Sequence, residues 1–479
     1  MARSATNPSS RARRWRGRST AGGISGSRPM TAISITRSTS SRARRASRRA
    51  RTTPPRTPRG STARRLSNCC CRSTRCRRHC MDHALDHAMY KVMTIVGTRP
   101  ELIKMCRVID RFDRHMHHVL VHTGQNHDDA LSAVFSRELR IRAPDHWLGV
   151  AGATPAQTIA RVIERADTVL AAEAPDAVLI YGDTNSSLAV IPAKRRRIPI
   201  FHMEAGNRCF DQRVPEELNR RIVDHLSDIN ITLTEHARRH LLAEGLPADR
   251  IFTFGSHLPE VLATFSDEIA ASPVLERLGL APRGYFLASA HREENVDPPA
   301  RLRALLDALA GLAEAHDLPV VVSTHPRTRQ RIEALGERAR DPRLQFVTPF
   351  GFFDYVQLQR QARCVLSDSG TITEEAAILG FPAVTLRDTH ERPEGMDAGV
   401  LVLAGITRAG VLDAVRIALA EAAAAGEQAR AVCAAVYDAG EVSWKLLKLV
   451  QGYIPYVRER VWGTPPGMAG SDGPCVSPF

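Results

Sequence analysis

A chain of 479 residues with 43% apolar content is long enough for two or more domains with cores of their own, which excludes a single small module. Its net charge of +15 sits at one end: residues 1–88 hold 22 arginines, no lysine and two acids, Asp82 and Asp86, whereas the rest carries 44 basic against 49 acidic residues. Overall basicity is therefore a property of the tail and assigns no nucleic-acid partner to the folded part.

The tail is rich in Arg, Ser, Thr and Pro, has no amphipathic period and holds few large apolar residues. It cannot bury enough surface to offset the entropy of ordering, so residues 1–88 are expected to be disordered. Three readings compete: a nucleic-acid-binding arm, an Arg/Ser-rich transit peptide, and an upstream extension outside the natural product. Ordered pattern begins abruptly after Met89, which favours the last. Cys69, Cys70, Cys71, Cys76 and Cys80 with His79 match no paired zinc-ligand spacing, so chance clustering is preferred to a metal site. The other five cysteines (Cys106, Cys209, Cys364, Cys433, Cys475) are scattered, as expected of reduced thiols in a cytoplasmic protein. No run reaches the length of a membrane span, and no signal-peptide core is present.

From residue 90 strand and helix patterns alternate. Lys91–Val96 reads as a strand running into the helix of GTRPELIKMCRVIDRF. Val119–His122 follows, then a helix over 155–172, then Ala177–Tyr181, Ile198–Met203, a helix opening at Pro215, Ile229–Thr232 and a helix over 235–244. A second series starts near 283 with YFLASA, a helix over 298–315, PVVVSTHP, LQFVTPF, CVLSDSG, a helix over 371–379 and PAVTL. This alternation predicts α/β architecture with parallel sheets covered on both faces. Two doubly wound Rossmann-like domains facing across a cleft are expected at 89–265 and 266–460, joined around 256–282, with a loose tail at 461–479. The last helical stretch (411–425, then about 438–450) finishes the second domain, and a return across the first is open to it.

The central stretch is 202–221, HMEAGNRCFDQRVPEELNRR. Leu218, Ile222, Leu226 and Ile229 form an apolar stripe, expected to face the core. Glu216 and Arg220, four apart, share the opposite face, and Glu204 lies upstream at a strand end, where ligands of open α/β sheets bind. A helix-capping Glu plus a solvated Glu–Arg pair explains the same residues without function. GTRPELIK (97–104) places Gly97, Arg99 and Lys104 at a strand-to-helix junction suited to an anion. It is neither a Walker motif nor a dinucleotide fingerprint. GDT (182–184) puts Asp183 at another strand end, where a helix N-cap is the plain alternative. In SDSGTITEEAAILG (367–380), Ser369 and Gly370 precede a helix and suit a diphosphate, with Arg387 and Arg392 sharing the charge. Glu375 is placed to accept bonds from a ribose diol. AHREEN and STHPRTR add His291, Arg292, His325, Arg327 and Arg329.

Taken together these motifs resemble the non-hydrolysing UDP-N-acetylglucosamine 2-epimerases from about Lys91 to about Val450. GTRPE-x-IK, GDT, H-x-EAG, PEE-x-NR, the AHR block, SDSG-x-I-x-EE and ERPE all occur, in family order. The resemblance implies two Rossmann-like domains in a glycosyltransferase-B arrangement, a UDP-sugar substrate, a homodimer and no cofactor. It carries the family's functional residues onto Arg99, Lys104, Asp183, Glu204, Glu216, Arg220 and His291, and on the nucleotide side onto Ser369, Gly370, Glu375 and Arg392. Departures include Thr371 and Thr373 where Gly and Gln are commoner, Glu293 in place of a basic residue, and HMEAGNRCFD. These look like the branch that makes N-acetylfucosamine nucleotides from a UDP-2-acetamido-2,6-dideoxyhexose.

The chemistry implied is elimination: a base takes the C2 proton as UDP leaves C1, and UDP then adds back to the glycal with the proton on the opposite face. Carboxylates about the sugar and cations about the diphosphate meet that need. No metal-ligand set appears, and none is required. A glycosyltransferase on the same scaffold is the main rival, which fold cannot separate; a nucleic-acid binder rests on the tail alone.

Overall fold

The computed structural model describes residues 89–125, 137–336, 341–389, 391–424, 435–438 and 440–464. The expectations for residues 1–88, for the cysteine cluster there and for the end of the chain past 464 lie outside these.

Two all-parallel sheets form. The first has seven strands: β1 (Lys91–Val96), β2 (His117–His122), β3 (His146–Trp147), β4 (Ala177–Tyr181), β5 (Ile200–Met203), β6 (Ile229–Thr232) and β7 (Ile251–Thr253). Their spatial order is β3-β2-β1-β4-β5-β6-β7. In the second, β8 (Phe286–Ser289), β9 (Val320–Ser323), β10 (Leu344–Val347), β11 (Cys364–Ser367), β12 (Ala383–Thr385) and β13 (Val402–Leu403) stand in the order β10-β9-β8-β11-β12-β13. Each order reverses once, between β1 and β4 and between β8 and β11. Such a switch point opens a crevice at the carboxyl ends of the strands.

The sequence dictates the burial. All five residues of β4, Ala-Val-Leu-Ile-Tyr, are buried, as a strand covered on both faces requires. Along β1 the side chains alternate: Val92 and Val96 join the core beneath the Arg99–His115 helix, whereas Met93 and Ile95 pack with Val162 and Leu170 of the Pro155–Glu173 helix. Each such aliphatic side chain contributes about 1.5–3 kcal/mol on burial. In the second sheet Phe286 and Ala288 pack under the Pro299–His316 and Arg408–Ala424 helices, while Leu287 and Val365 face Ile372 and Ala376.

Short helices at Leu258–Thr264, Ser266–Ala270 and Val274–Leu278 stand within 256–282, where the joint is expected. Of the last helical stretch, the Arg408–Ala424 part packs on the second sheet, and the later part takes the return that the sequence left open. Leu446, Leu447, Val450, Ile454 and Val457 of the Val442–Arg460 helix pack into the core of the first sheet with Val108 and Phe112. Strand–helix alternation carries no signal for that choice, since an apolar stripe fits either sheet. One expectation needs correction, at the Pro215–Leu226 helix. Leu218 and Ile222 are 50% and 42% exposed, and the buried residues are Glu217, Asn219, Arg220, Val223 and Asp224. The polar side turns inward because it meets a charged site.

Among the described residues no helix is long and apolar enough to cross a membrane. Cys106, Cys209 and Cys364 are free, buried thiols.

Candidate active site

Around the first switch point, Gly97 follows β1, Asp183 lies two residues past β4, and Glu204 follows β5 beside them. Gly97 admits no side chain, because a Cβ there would collide with the hydroxyls of Ser186 and Thr123. Its N–H donates to Glu101 Oε2 at 2.6 Å, and the Thr184 hydroxyl donates to Glu101 Oε1 at 2.8 Å. One backbone donor at the expected anion site is thus taken by the chain's own carboxylate. Burial pushes the Glu101 carboxyl up to about 7, against the pull of these donors. Arg99, half-buried, opens the helix, and Lys104 lies one turn inside it at 4% exposure.

Asp183 Oδ2 accepts from Arg220 Nε at 3.0 Å and Nη2 at 2.7 Å. Burial drives its carboxyl up; Arg220 holds it back in part, while Glu391, Glu204 and Glu216 push it further, to about 6. The plain N-cap reading does not fit, since Asn185–Ala189 is a short 3-10 turn whose N-cap is Thr184. Nor is Arg220 the solvated half of a Glu216 pair. It is 3% exposed, bound to Asp183 and to Glu217 Oε2 at 3.2 Å, and 3.7 Å from Glu391 Oε2. Glu216 is half-buried one turn away.

Glu204 adopts a left-handed backbone conformation, φ +64°. Burial alone raises its carboxyl, but Lys104 and Arg392 outweigh it and bring it down to about 2. The Lys104 Nζ is 3.7 Å from Glu204 Oε1 and 2.7 Å from Glu374 Oε2. Arg392 pairs with Glu204 across the cleft and lies 3.5 Å from Glu374 Oε2. Its Nε donates to the Gly370 carbonyl at 3.0 Å, and its Nη1 is buried without a hydrogen-bond partner among the described residues.

On the second switch point stand β8, ending before His291, and β11, ending before Ser369 and Gly370. Buried Asp368 organises the loop by accepting from the backbone N–H groups of His291 (3.1 Å) and Arg292 (3.0 Å) and from Asn295 Nδ2 (3.1 Å). The His291 ring, 46% exposed, has Nδ1 3.2 Å from Asp368 Oδ1. Ser369 Oγ accepts from the Thr371 N–H at 3.3 Å and lies 3.0 Å from Thr371 Oγ1. A Cβ on Gly370 would stand 3.0 Å from Glu391 Oε2. Glu375, at the first turn of the Ile372–Leu379 helix, accepts from Gln359 Nε2 at 2.5 Å, and burial raises its carboxyl.

Not every expected cation reaches this cleft. Arg327 pairs with Glu293 at 2.6 Å and with Asp297, and His325 caps its own helix. Arg387 is bound to Glu391, 3.0 Å away. Sequence reasoning passed over Glu391, which joins Arg220, Arg292 and Arg387, and it passed over Glu374 and Ser256. The doubled acid in THERPE and the tandem Glu374–Glu375 were the available signals. Among the described residues no cluster of His, Cys, Asp and Glu could hold a metal ion.

Residues 110–451 match the family model described as UDP-N-acetylglucosamine 2-epimerase. The structure of UDP-N-acetylglucosamine 2-epimerase from Rickettsia bellii is 52% identical, covers 78% of this chain and all of its own, and superposes with a TM-score of 0.73. The Methanocaldococcus jannaschii UDP-GlcNAc 2-epimerase, in complex with UDP-GlcNAc and UDP, is 28% identical over 76% of this chain and 99% of its own, with a TM-score of 0.70. The UDP-2,3-diacetamido-2,3-dideoxy-D-glucuronate 2-epimerase of Pseudomonas aeruginosa is 37% identical over 69% of this chain and 92% of its own length. With two Rossmann-like domains in the glycosyltransferase-B arrangement and this extent of match, the chain belongs to the UDP-N-acetylglucosamine 2-epimerase family.

Proposed function

We propose that the chain inverts C2 of a UDP-N-acetylhexosamine by eliminating UDP and adding it back, supplying a precursor for cell-surface polysaccharide. The observation that carries this reading is the gathering of Asp183, Glu204 and Glu216 about one cleft, with Lys104, Arg220 and Arg392 among them. The C2–H bond is broken by a carboxylate while the C1–O bond to UDP breaks, leaving a C1=C2 double bond. Protonation at C2 from the other face accompanies return of the UDP oxygen to C1. Arg99, His291, Ser369 and Gly370 receive the diphosphate, where charge develops, and Glu375 the ribose. The 6-deoxy sugar UDP-2-acetamido-2,6-dideoxy-L-talose, giving UDP-N-acetyl-L-fucosamine, is the alternative substrate, favoured by Thr371, Thr373 and Glu293. The homodimer belongs to the same reading, and exposed Leu218 and Ile222 offer it apolar surface.

The test is incubation in D2O with UDP-GlcNAc and, separately, with the 6-deoxy nucleotide sugars, following C2 by NMR. Inversion with deuterium at C2, and no acceptor added, is expected; that result also separates the reading from a glycosyltransferase. Inversion with full retention of the original hydrogen would refute an elimination that exchanges with solvent and would point to an internal shuttle or an oxidation step.

A further inference from the structure

Glu374 is 0% exposed, and the resemblance carries function onto its neighbour Glu375 instead. Its carboxylate joins three separate parts of the chain. Oε2 accepts from Lys104 Nζ at 2.7 Å and faces Arg392 Nη2 at 3.5 Å, and Oε1 accepts the Ser256 hydroxyl. Ser256 lies where the chain leaves the first sheet: its N–H donates to the Tyr437 carbonyl at 3.0 Å, and its Oγ accepts from the Leu258 N–H at 2.9 Å. The Glu374 side chain is therefore fixed by the joint between the two domains as well as by its own helix. Burial raises its carboxyl, yet Lys104 and Arg392 prevail and hold it ionised.

We propose that Glu374, held by Ser256, is a positioning residue that keeps Lys104 from closing onto Glu204, which Arg392 already pairs, a role that rests on the epimerase reading above. Lys104 and Arg392 each face both carboxylates. With Glu374 ionised, the two cations are shared. Without that charge the Lys104 ammonium closes the remaining distance to Glu204, because an unshared buried ion pair shortens in low dielectric. A carboxylate so clamped is a poorer acceptor for the C2 proton. The cations themselves stay in the cleft, and one negative charge fewer stands near the diphosphate, so nucleotide binding is not weakened.

The experiment compares the full chain with Glu374→Gln, which keeps the shape and removes the charge. Turnover is followed by NMR and UDP affinity by calorimetry. Glu374→Gln is expected to lower kcat about 10- to 100-fold while the Kd for UDP stays within about threefold of the parent or tightens. Ser256→Ala, which keeps the charge and frees the arm, is expected to lower kcat about 3- to 10-fold, again with unchanged UDP affinity, and it serves if the Gln variant does not fold. A folded variant with kcat within twofold of the parent overturns the proposal. So does a loss of UDP affinity that matches the loss of turnover, which marks Glu374 as a packing element. If the parent itself epimerises none of the sugars, the functional reading fails and takes this role with it; the parent's activity thus separates the two failures.

Discussion

Three carboxylates about the strand ends of the first sheet, Glu101 buried and Asp183 and Glu204 partly so, share desolvation and differ in company. Glu101 is held chiefly by neutral donors, the Thr184 hydroxyl and the Gly97 N–H, and rises to about 7; Asp183 has Arg220 and stands near 6; Glu204 has Lys104 and Arg392 and falls to about 2. Burial sets a common upward push, and the number of cations decides the outcome. Within one cleft the carboxyls are thus pushed in opposite directions, a separation that the proposed acid/base chemistry on two faces of a carbon would use.

The comparison breaks most visibly through turnover. Glu204→Gln and Asp183→Asn are each expected to lower kcat about 10²- to 10⁴-fold, with UDP affinity altered only a few-fold. If both variants epimerise at near-parental rates, the contrast between the two carboxylates has no catalytic meaning. A smaller effect lies on the other side of the cleft. Glu375→Ala is expected to cost UDP binding about 1–3 kcal/mol by calorimetry, and an unchanged Kd would remove Glu375 from the nucleotide site. The smallest effect concerns Glu101. Its folded pKa lies above that of the unfolded chain, so the stability that Glu101 itself contributes is fully present below the usual carboxylate range and is lost as pH rises through about 7. Glu101→Gln should flatten that decline in denaturation curves between about pH 5 and pH 8; an equal slope in both proteins would show that Glu101 titrates normally.

Much of this was legible in the sequence because strand ends and glycine turns are local. Lys91–Val96, Ala177–Tyr181 and Ile229–Thr232 form as read, and Asp183, Glu204, Arg220 and Arg392 meet in one cleft. What stayed hidden depended on distant partners. Glu374 becomes informative only when Lys104, 270 positions earlier, closes on it. The Leu218 and Ile222 stripe misled because amphipathic reasoning assumes that a helix buries its apolar side, whereas here Glu217, Arg220 and Asp224 have better partners inside. The return of the Val442–Arg460 helix to the first sheet is likewise a tertiary choice without a local marker.

The left-handed backbone at Glu204 bears on how this protein would drift under selection. A side chain in that conformation costs roughly 1–2 kcal/mol that glycine does not bear. Position 204 is therefore a point where two demands pull apart: the backbone favours glycine, and the pairing with Arg392 and Lys104 favours a carboxylate. Glu204→Gly leaves Arg392 and Lys104 with Glu374 as their remaining carboxylate, so the relief of strain competes with the loss of a buried pair. Paired melting curves of the Gly and Ala variants isolate the backbone part, since both lack the carboxylate: glycine is expected to melt a few degrees higher, and equal melting temperatures would show that position 204 stores no strain.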